Sequence, residues 1–288
     1  MTAIIFGVHG QDGYYLTELL QQQNIQVVGC GRINDEGVVV LHHFDRVCEL
    51  VKKYKPDFIF HLAANSTTRH EVLFENHLTI ETGTLHILEA VRLYSPQTKV
   101  FISGSGLQFH NNGLPINENN VFEASSAYAV SRIQSVYAAR YYRTLGINVY
   151  VGYFFNHDSP KRTERHMSKK IAEAAKRISN GSVEKLEIGD INVVKEWTFA
   201  GDVVAAIWRL VNQSDIFEAC IGSGKGYSIK DWLQVCFDAV GLDWRQCVIQ
   251  KENYVSEYKS LVSDPSLLFS MGWKPLISFE DLAQKMMK

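Results

Sequence analysis

Tyr128 and Arg132 stand four residues apart, and Ser105 precedes Tyr128 by 23 positions. Residues four apart on a helix share a face, so the phenol and the guanidinium belong side by side. A phenol with an ordinary pKa of ~10 becomes a working acid/base when a neighbouring cation favours phenolate. A serine hydroxyl delivered from a strand end can hydrogen-bond a substrate oxygen. Near the start of the chain, Gly7, Gly10 and Gly13 are spaced by three, with Gln11-Asp12 between the last two. In a turn between a strand and a helix, such glycines permit a tight bend, close approach of backbone to a pyrophosphate and close helix–strand packing. The N–H groups at the helix start then bind the anion. Together these residues point to hydride chemistry on a dinucleotide.

The elements that must carry them alternate. Apolar runs at Ala3–Val8, Ile25–Cys30, Val38–Leu41, Phe58–Leu62, Val100–Ser103 and Asn148–Tyr153 read as strands. Helical patterns at Tyr14–Gln23, Asp45–Tyr54, Leu78–Val91 and around Tyr128–Leu145 separate them. Continuous apolar strands divided by helices predict an α/β fold: a doubly wound, Rossmann-like parallel sheet covered on both faces. After Tyr153 the regularity breaks, and 156–165 is polar. Residues 1–155 read as a dinucleotide-binding domain, with 199–222 returning to it, and 156–288 as a smaller C-terminal substrate lobe. Ser228 and Asp231 form a capping box ahead of one of its helices.

Composition removes several alternatives. The 288 residues are 46% hydrophobic and 21% charged, with a net charge of −2. Such a balance suits a soluble, cytoplasmic protein and argues against nucleic-acid binding. The five cysteines are scattered without Cys-x-x-Cys and read as reduced thiols. The opening run lacks a basic flank and reads as a first strand rather than a signal peptide. No stretch approaches transmembrane length. His42, His43 and His61 lack ligand spacing, so no metal is expected. Two apolar stripes on the Tyr128 helix, Val130-Ile133-Tyr137-Tyr141 and Ala138-Tyr142-Leu145, exceed one core face.

A carboxylate near the end of the second strand favours NAD, because it binds the ribose 2′-hydroxyl. That position offers Arg32, whose guanidinium suits a 2′-phosphate. NADP(H) is therefore expected before NAD(H), with Asp35 and Glu36 the residues that would serve NAD.

The chain resembles the extended short-chain dehydrogenase/reductases and, within them, the GDP-mannose 4,6-dehydratases. The resemblance rests on Gly7–Gly13, Asn156-His157-Asp158-Ser159-Pro160-Lys161-Arg162, Lys195-Glu196-Trp197, Gly201-Asp202-Val203 and Gly272-Trp273-Lys274-Pro275 in family order. It implies a homodimer and a GDP-linked sugar substrate. It also implies that Tyr128 exchanges a proton with the C4 hydroxyl, that Ser105 lies beside that hydroxyl, and that Arg132 stands where a Lys binds the nicotinamide ribose. Asn156, Lys170, Lys195 and Glu257 match substrate contacts. Leu62, Ala63, Ala64 and His157 complete the expected cofactor contacts beside Gly7, Gly10, Gln11, Asp12, Gly13, Arg32, Tyr128 and Arg132.

One departure bears on the reaction. The family's elimination base is a Glu two residues after the Thr/Ser, and this chain has Leu107 there, followed by Gln108. Losing a positioned base costs ~10²–10⁴ in rate. Hydride transfer at C4 needs no such base, so a C4 reductase of a 4-keto-6-deoxy sugar is the leading expectation. A 4,6-dehydratase of GDP-mannose or a GDP-heptose with a relocated base is a second, and a non-catalytic nucleotide-binding homologue a third.

Overall fold

The computed structural model describes residues 1–31 and 40–288. At its centre is a six-stranded, all-parallel sheet. In chain order its first strands are β1 (Thr2–Phe6), β2 (Gln26–Cys30), β3 (Phe58–His61), β4 (Lys99–Ser105) and β5 (Val149–Phe154). Their spatial order is β5-β4-β3-β1-β2, and Glu218–Ile221 adds the outer strand beside β5. Alternate residues of β1 explain the double cover. Ile4 and Phe6 belong to one buried cluster, and Ala3 and Ile5 to another on the opposite face. Both sets point into apolar layers, so the strand reads as a continuous hydrophobic run. No helix among the described residues is long and apolar enough to cross a membrane.

Two elements depart from the sequence reading. Val38 and Val39 of the expected third strand lie outside the described residues, and Val40–His42 is a single 3₁₀ turn instead. The sixth strand of the sheet is Glu218–Ile221. The long helix expected through Leu78–Val91 is also interrupted: His77–Thr82 is wound as a π-helix before the α-helix Gly83–Tyr94. Gly83 marks the junction, where an added Cβ would come within 2.7 Å of Leu41. Leu88 and Val91 of this stretch are buried, whereas Leu78 and Leu85 are exposed, a change of phase that helix periodicity alone does not register.

The helix Ala200–Val211 packs on the first helix, α1 (Gln11–Gln22), and shares its apolar layer. Helices Met167–Ser179, Ile229–Asp238 and Phe279–Met287 enclose a third cluster, where Trp197 and Trp232 stack at 4.4 Å. The Ser228/Asp231 capping box forms as expected. Asp202 joins this region to its neighbours by accepting the backbone N–H groups of Leu276 and Ile277, each at 2.9 Å.

Candidate active site

The glycine turn follows β1 and opens α1. Gly7 has φ +93°, a conformation that side-chain-bearing residues rarely adopt, and an added Cβ would lie 2.8 Å from Ala63 N. A Cβ on Gly13 would lie 2.7 Å from Val8 Cα and overlap the Gly7 carbonyl. Gly10 caps α1 without a side-chain hydrogen bond, so the first-turn N–H groups are available to an anion. Beside the turn is a cavity of about 470 Å³, lined by Gly7, Gly10, Gly31, Leu62, Ala63 and Ala64 among others. A close-fitting backbone cradle next to a cavity of this size fits a dinucleotide. Arg32, expected to choose between NADP and NAD, lies outside the described residues.

Gln11 and Asp12 lock this turn to the second half of the chain. Gln11 Nε2 donates to the His157 carbonyl at 3.2 Å, and the Ser159 hydroxyl donates to Gln11 Oε1 at 2.9 Å. His157 Nε2 meets Asp12 Oδ1 at 2.9 Å, while its Nδ1 meets the Phe155 carbonyl at 2.8 Å. Both partners are acceptors, so both ring nitrogens carry protons. Burial opposes the charged imidazole, but Asp12 outweighs it and the His157 pKa is raised. Asp12 is lowered: burial alone would raise it, and His157 and Arg162 overcome that.

Leu62 also lines a second cavity, of about 330 Å³. Ser105, Tyr128, Arg132, Asn156, His157 and Glu257 surround it. Ser126 caps the Tyr128 helix (Ala127–Thr144) by accepting the Ala129 N–H, which fixes where the phenol enters the cavity. Ser105 ends β4 and caps the turn 106–108, its Oγ accepting the Leu107 N–H at 3.2 Å. Gln108 is fully buried and turned to the backbone, its Oε1 accepting the Ser105 N–H. Leu107 faces the cavity.

Arg132 is 4% exposed, and its guanidinium carbon sits 5.0 Å from the Tyr128 ring centre. Its Nη1 donates to the Ser103 carbonyl and, at 2.8 Å, to the Ser103 hydroxyl. Ser103 in turn donates to the His61 carbonyl at 2.9 Å. Buried Nε of Arg132 has no hydrogen-bond partner among the described residues. An unsatisfied charged donor beside the cleft is costly unless a ligand oxygen meets it. His61 is held neutral, its pKa pushed down to about 4 by burial and then by the Arg132 charge.

At another side of the cleft, Arg162 and His166 line the wall. Arg162 pairs with Asp158 at 3.3 Å and approaches His166 Nε2 at 3.3 Å. Burial and then the Arg162 charge lower the His166 pKa to about 4, so His166 is neutral and accepts from Arg162. Lys195 is buried over the Trp197 ring, in electrostatic reach of Asp158 and Arg162, and its pKa is lowered by burial. The positive charge at this end is that of Arg162 in the wall, with Lys195 behind it, outside the lining of either cavity. Lys170 departs from the expected substrate contacts: its ammonium donates to the Glu187 carbonyl at 2.8 Å, and it lines neither cavity. Glu257 does reach the cleft, where Thr68 donates to its carboxylate.

Residues 35–286 match the family described as GDP-mannose 4,6 dehydratase. The chain belongs to that family. GDP-mannose 4,6 dehydratase 1 of Arabidopsis thaliana is 31% identical over 317 residues, covering 99% of this chain and 88% of the relative. The Vibrio cholerae GDP-mannose 4,6-dehydratase is 26% identical, covering 99% and 92%. Among solved structures, RMD from Pseudomonas aeruginosa complexed with NADPH superposes with a TM-score of 0.88 at 21% identity, covering 99% of this chain and 97% of that one. The dTDP-glucose 4,6-dehydratase of Bacillus anthracis in complex with NAD gives 0.87 at 16% identity. The fold is thus that of the extended short-chain dehydrogenase/reductases, and the chain is a nucleotide-sugar dehydratase- or epimerase-like enzyme.

Within the GDP-mannose 4,6-dehydratase family, this member brings Ser105, Tyr128, Arg132, Asn156 and Glu257 to one cavity. Sequence reasoning missed Ser103, Thr68, Arg162 and His166. Arg162 sat in a quoted motif without a role. Ser103 gave only the faint signal of lying two residues before Ser105 on β4, and thus on the same side of the strand. Thr68 and His166 gave none, since their loops meet the cleft only in the folded chain.

Proposed function

We propose that this chain is an NADP(H)-dependent reductase acting at C4 of a GDP-linked 4-keto-6-deoxy sugar. The observation that carries the reading is the aliphatic side chain of Leu107 in the cleft that holds Tyr128 and Ser105. Tyr128 and Ser105 supply the groups that C4 chemistry needs, and on this reading the methyl-bearing side chain of Leu107 stands where elimination needs a proton acceptor. When bound, the nicotinamide supplies the hydride that adds to C4. Tyr128 gives its phenolic proton to the C4 oxygen, which becomes the hydroxyl, and solvent restores the phenol. Ser105 hydrogen-bonds the same oxygen. Arg132 keeps a positive charge beside the phenol as the proton leaves, and its free Nε is a donor for the nicotinamide ribose. Arg162 and His166, with Lys195 behind them, hold the diphosphate, and Arg32 the 2′-phosphate of NADP(H). The exposed Val130, Tyr137 and Tyr141 on the Tyr128 helix support pairing as a homodimer.

A 4-keto-6-deoxy GDP-sugar added to enzyme and NADPH consumes absorbance at 340 nm. No consumption with several such sugars sinks the reading. The second reading, a 4,6-dehydratase with a relocated base, is favoured by one observation: Glu257 brings a carboxylate to the same cleft. It expects a 4-keto product from GDP-mannose without net cofactor turnover, abolished by Glu257→Gln.

A further inference from the structure

Beyond the reaction cleft lies a larger cavity of about 660 Å³ that the hydride chemistry does not use. Thr68, Leu107, Glu257, Tyr258 and Leu261 line both, so the two cavities are neighbours that share this wall. The larger cavity is otherwise bounded by Asn111, Asn112, Glu123, Ser125, Ser126 and Lys259 among others. The geometry points to a subsite for a hydroxyl-bearing extension, beyond C6, of the carbon chain on C5 of the substrate sugar, longer than the methyl of a 6-deoxyhexose.

This inference rests on the proposed C4 chemistry, because that chemistry fixes the sugar at two points. The diphosphate at C1 goes to Arg162, and the C4 oxygen to Tyr128 and Ser105. C5 is the ring carbon next to C4, and it bears the exocyclic carbon chain. Leu107, whose N–H is held by Ser105 Oγ, borders both cavities, so a chain leaving C5 past Leu107 enters the larger one. Leu107 then acts as an apolar threshold where the ring carbon passes.

The lining chemistry suits hydroxyl groups. Ser126 Oγ accepts the Ala129 N–H at 3.1 Å and keeps its proton for a ligand. Asn112 Oδ1 is used by the Leu114 N–H at 3.1 Å, which leaves the amide N–H₂ as donor. Glu123, which meets His110 at 3.0 Å, and Glu257, which accepts from Thr68, keep a carboxylate oxygen each as acceptor and, with Lys259 the sole cation among the described residues of the lining, disfavour a second anionic group. Each CHOH unit needs about 30 Å³, the share of one water in the liquid. The cavity therefore takes a chain of several units, and a hexose leaves it to solvent.

Calorimetric titration of the protein with NADP⁺ present, so that no hydride is transferred, tests this with two ligands: the GDP-linked 4-keto-6-deoxyhexose derived from GDP-mannose, and its homologue with a hydroxymethyl group on C6. The homologue binds at least tenfold tighter to the wild type. Ser125→Trp fills the cavity and brings the ratio of the two affinities to about one. Asn112→Leu removes a donor at nearly constant volume and lowers the ratio severalfold. NADPH binding by each variant reports that it has folded. A wild-type ratio near one, or a ratio that survives Ser125→Trp, overturns the subsite and leaves the proposed reaction standing. Failure of both sugars to bind overturns the proposed function, and the subsite with it.

Discussion

Asp12 and His157 are 145 positions apart and meet at 2.9 Å, joining the glycine turn to the segment that follows β5. The pair has a definite pH signature. His157 has a raised pKa, so its contribution is complete below its unfolded value of about 6.5 and is lost as pH rises through the folded one. Asp12 has a lowered pKa, so its contribution is complete above about 3.9 and is lost as pH falls through the folded value. Asp12→Asn therefore lowers Tm most near pH 5–6, between those limits. The gap from wild type narrows as pH rises beyond the folded His157 pKa. A constant gap from pH 5 to 9 shows that the pair is not ionic.

Tyr128→Phe removes the proton donor while leaving the ring against Arg132. Turnover falls by ~10²–10⁴, with NADPH and nucleotide-sugar affinities nearly unchanged. Steady-state rates and equilibrium titrations separate the two effects. Retained turnover places the proton transfer elsewhere.

Leu107→Glu puts a carboxylate where the cleft is now aliphatic. If the wild type has no elimination base, the variant gains 4,6-elimination of GDP-mannose by ~10²-fold or more over a negligible background. Product analysis by mass spectrometry detects the loss of water. A wild type that already eliminates, and gains little from the change, supports Glu257 as the base instead.

Gly13→Ala collides with fixed backbone at Val8 and Gly7, whereas a Cβ on Gly10 meets Gly7 O at 3.3 Å, tight but close to ordinary contact. NADPH affinity, read by fluorescence, falls severely in Gly13→Ala and by a smaller factor in Gly10→Ala. Equal losses contradict the packing account.

Glu218 carries the acid limit of the sheet edge. Burial would raise its pKa, but hydrogen bonds from Arg140, Tyr153 and Arg143 hold it down at about 2. Its contribution is full above about 4.3, the ordinary Glu value, and fades as pH falls toward 2, amounting to roughly 2–3 kcal/mol. Glu218→Gln therefore flattens the loss of denaturant midpoint between pH 5 and 3.

Local chemistry was written in the chain. The three glycines at spacing three can follow a strand only as a tight turn, because a Cβ at Gly7 or Gly13 strikes backbone. The apolar runs of the first half pair in a parallel sheet because both faces of each strand are greasy. Tyr128 and Arg132 share a helix face by spacing alone, and the substitution of Leu107 for an acid was visible without coordinates. What spacing cannot reveal is distance across the fold. The hold of Ser103 on Arg132, the pairing of Asp12 with His157 and the departure of Lys170 from the cleft depend on where separate elements come to rest. The strand Glu218–Ile221, by contrast, pairs in parallel beside β5 within the 199–222 stretch that the sequence already read as returning to the first half. Sequence periodicity reports which side of an element is buried, and only packing decides what it is buried against.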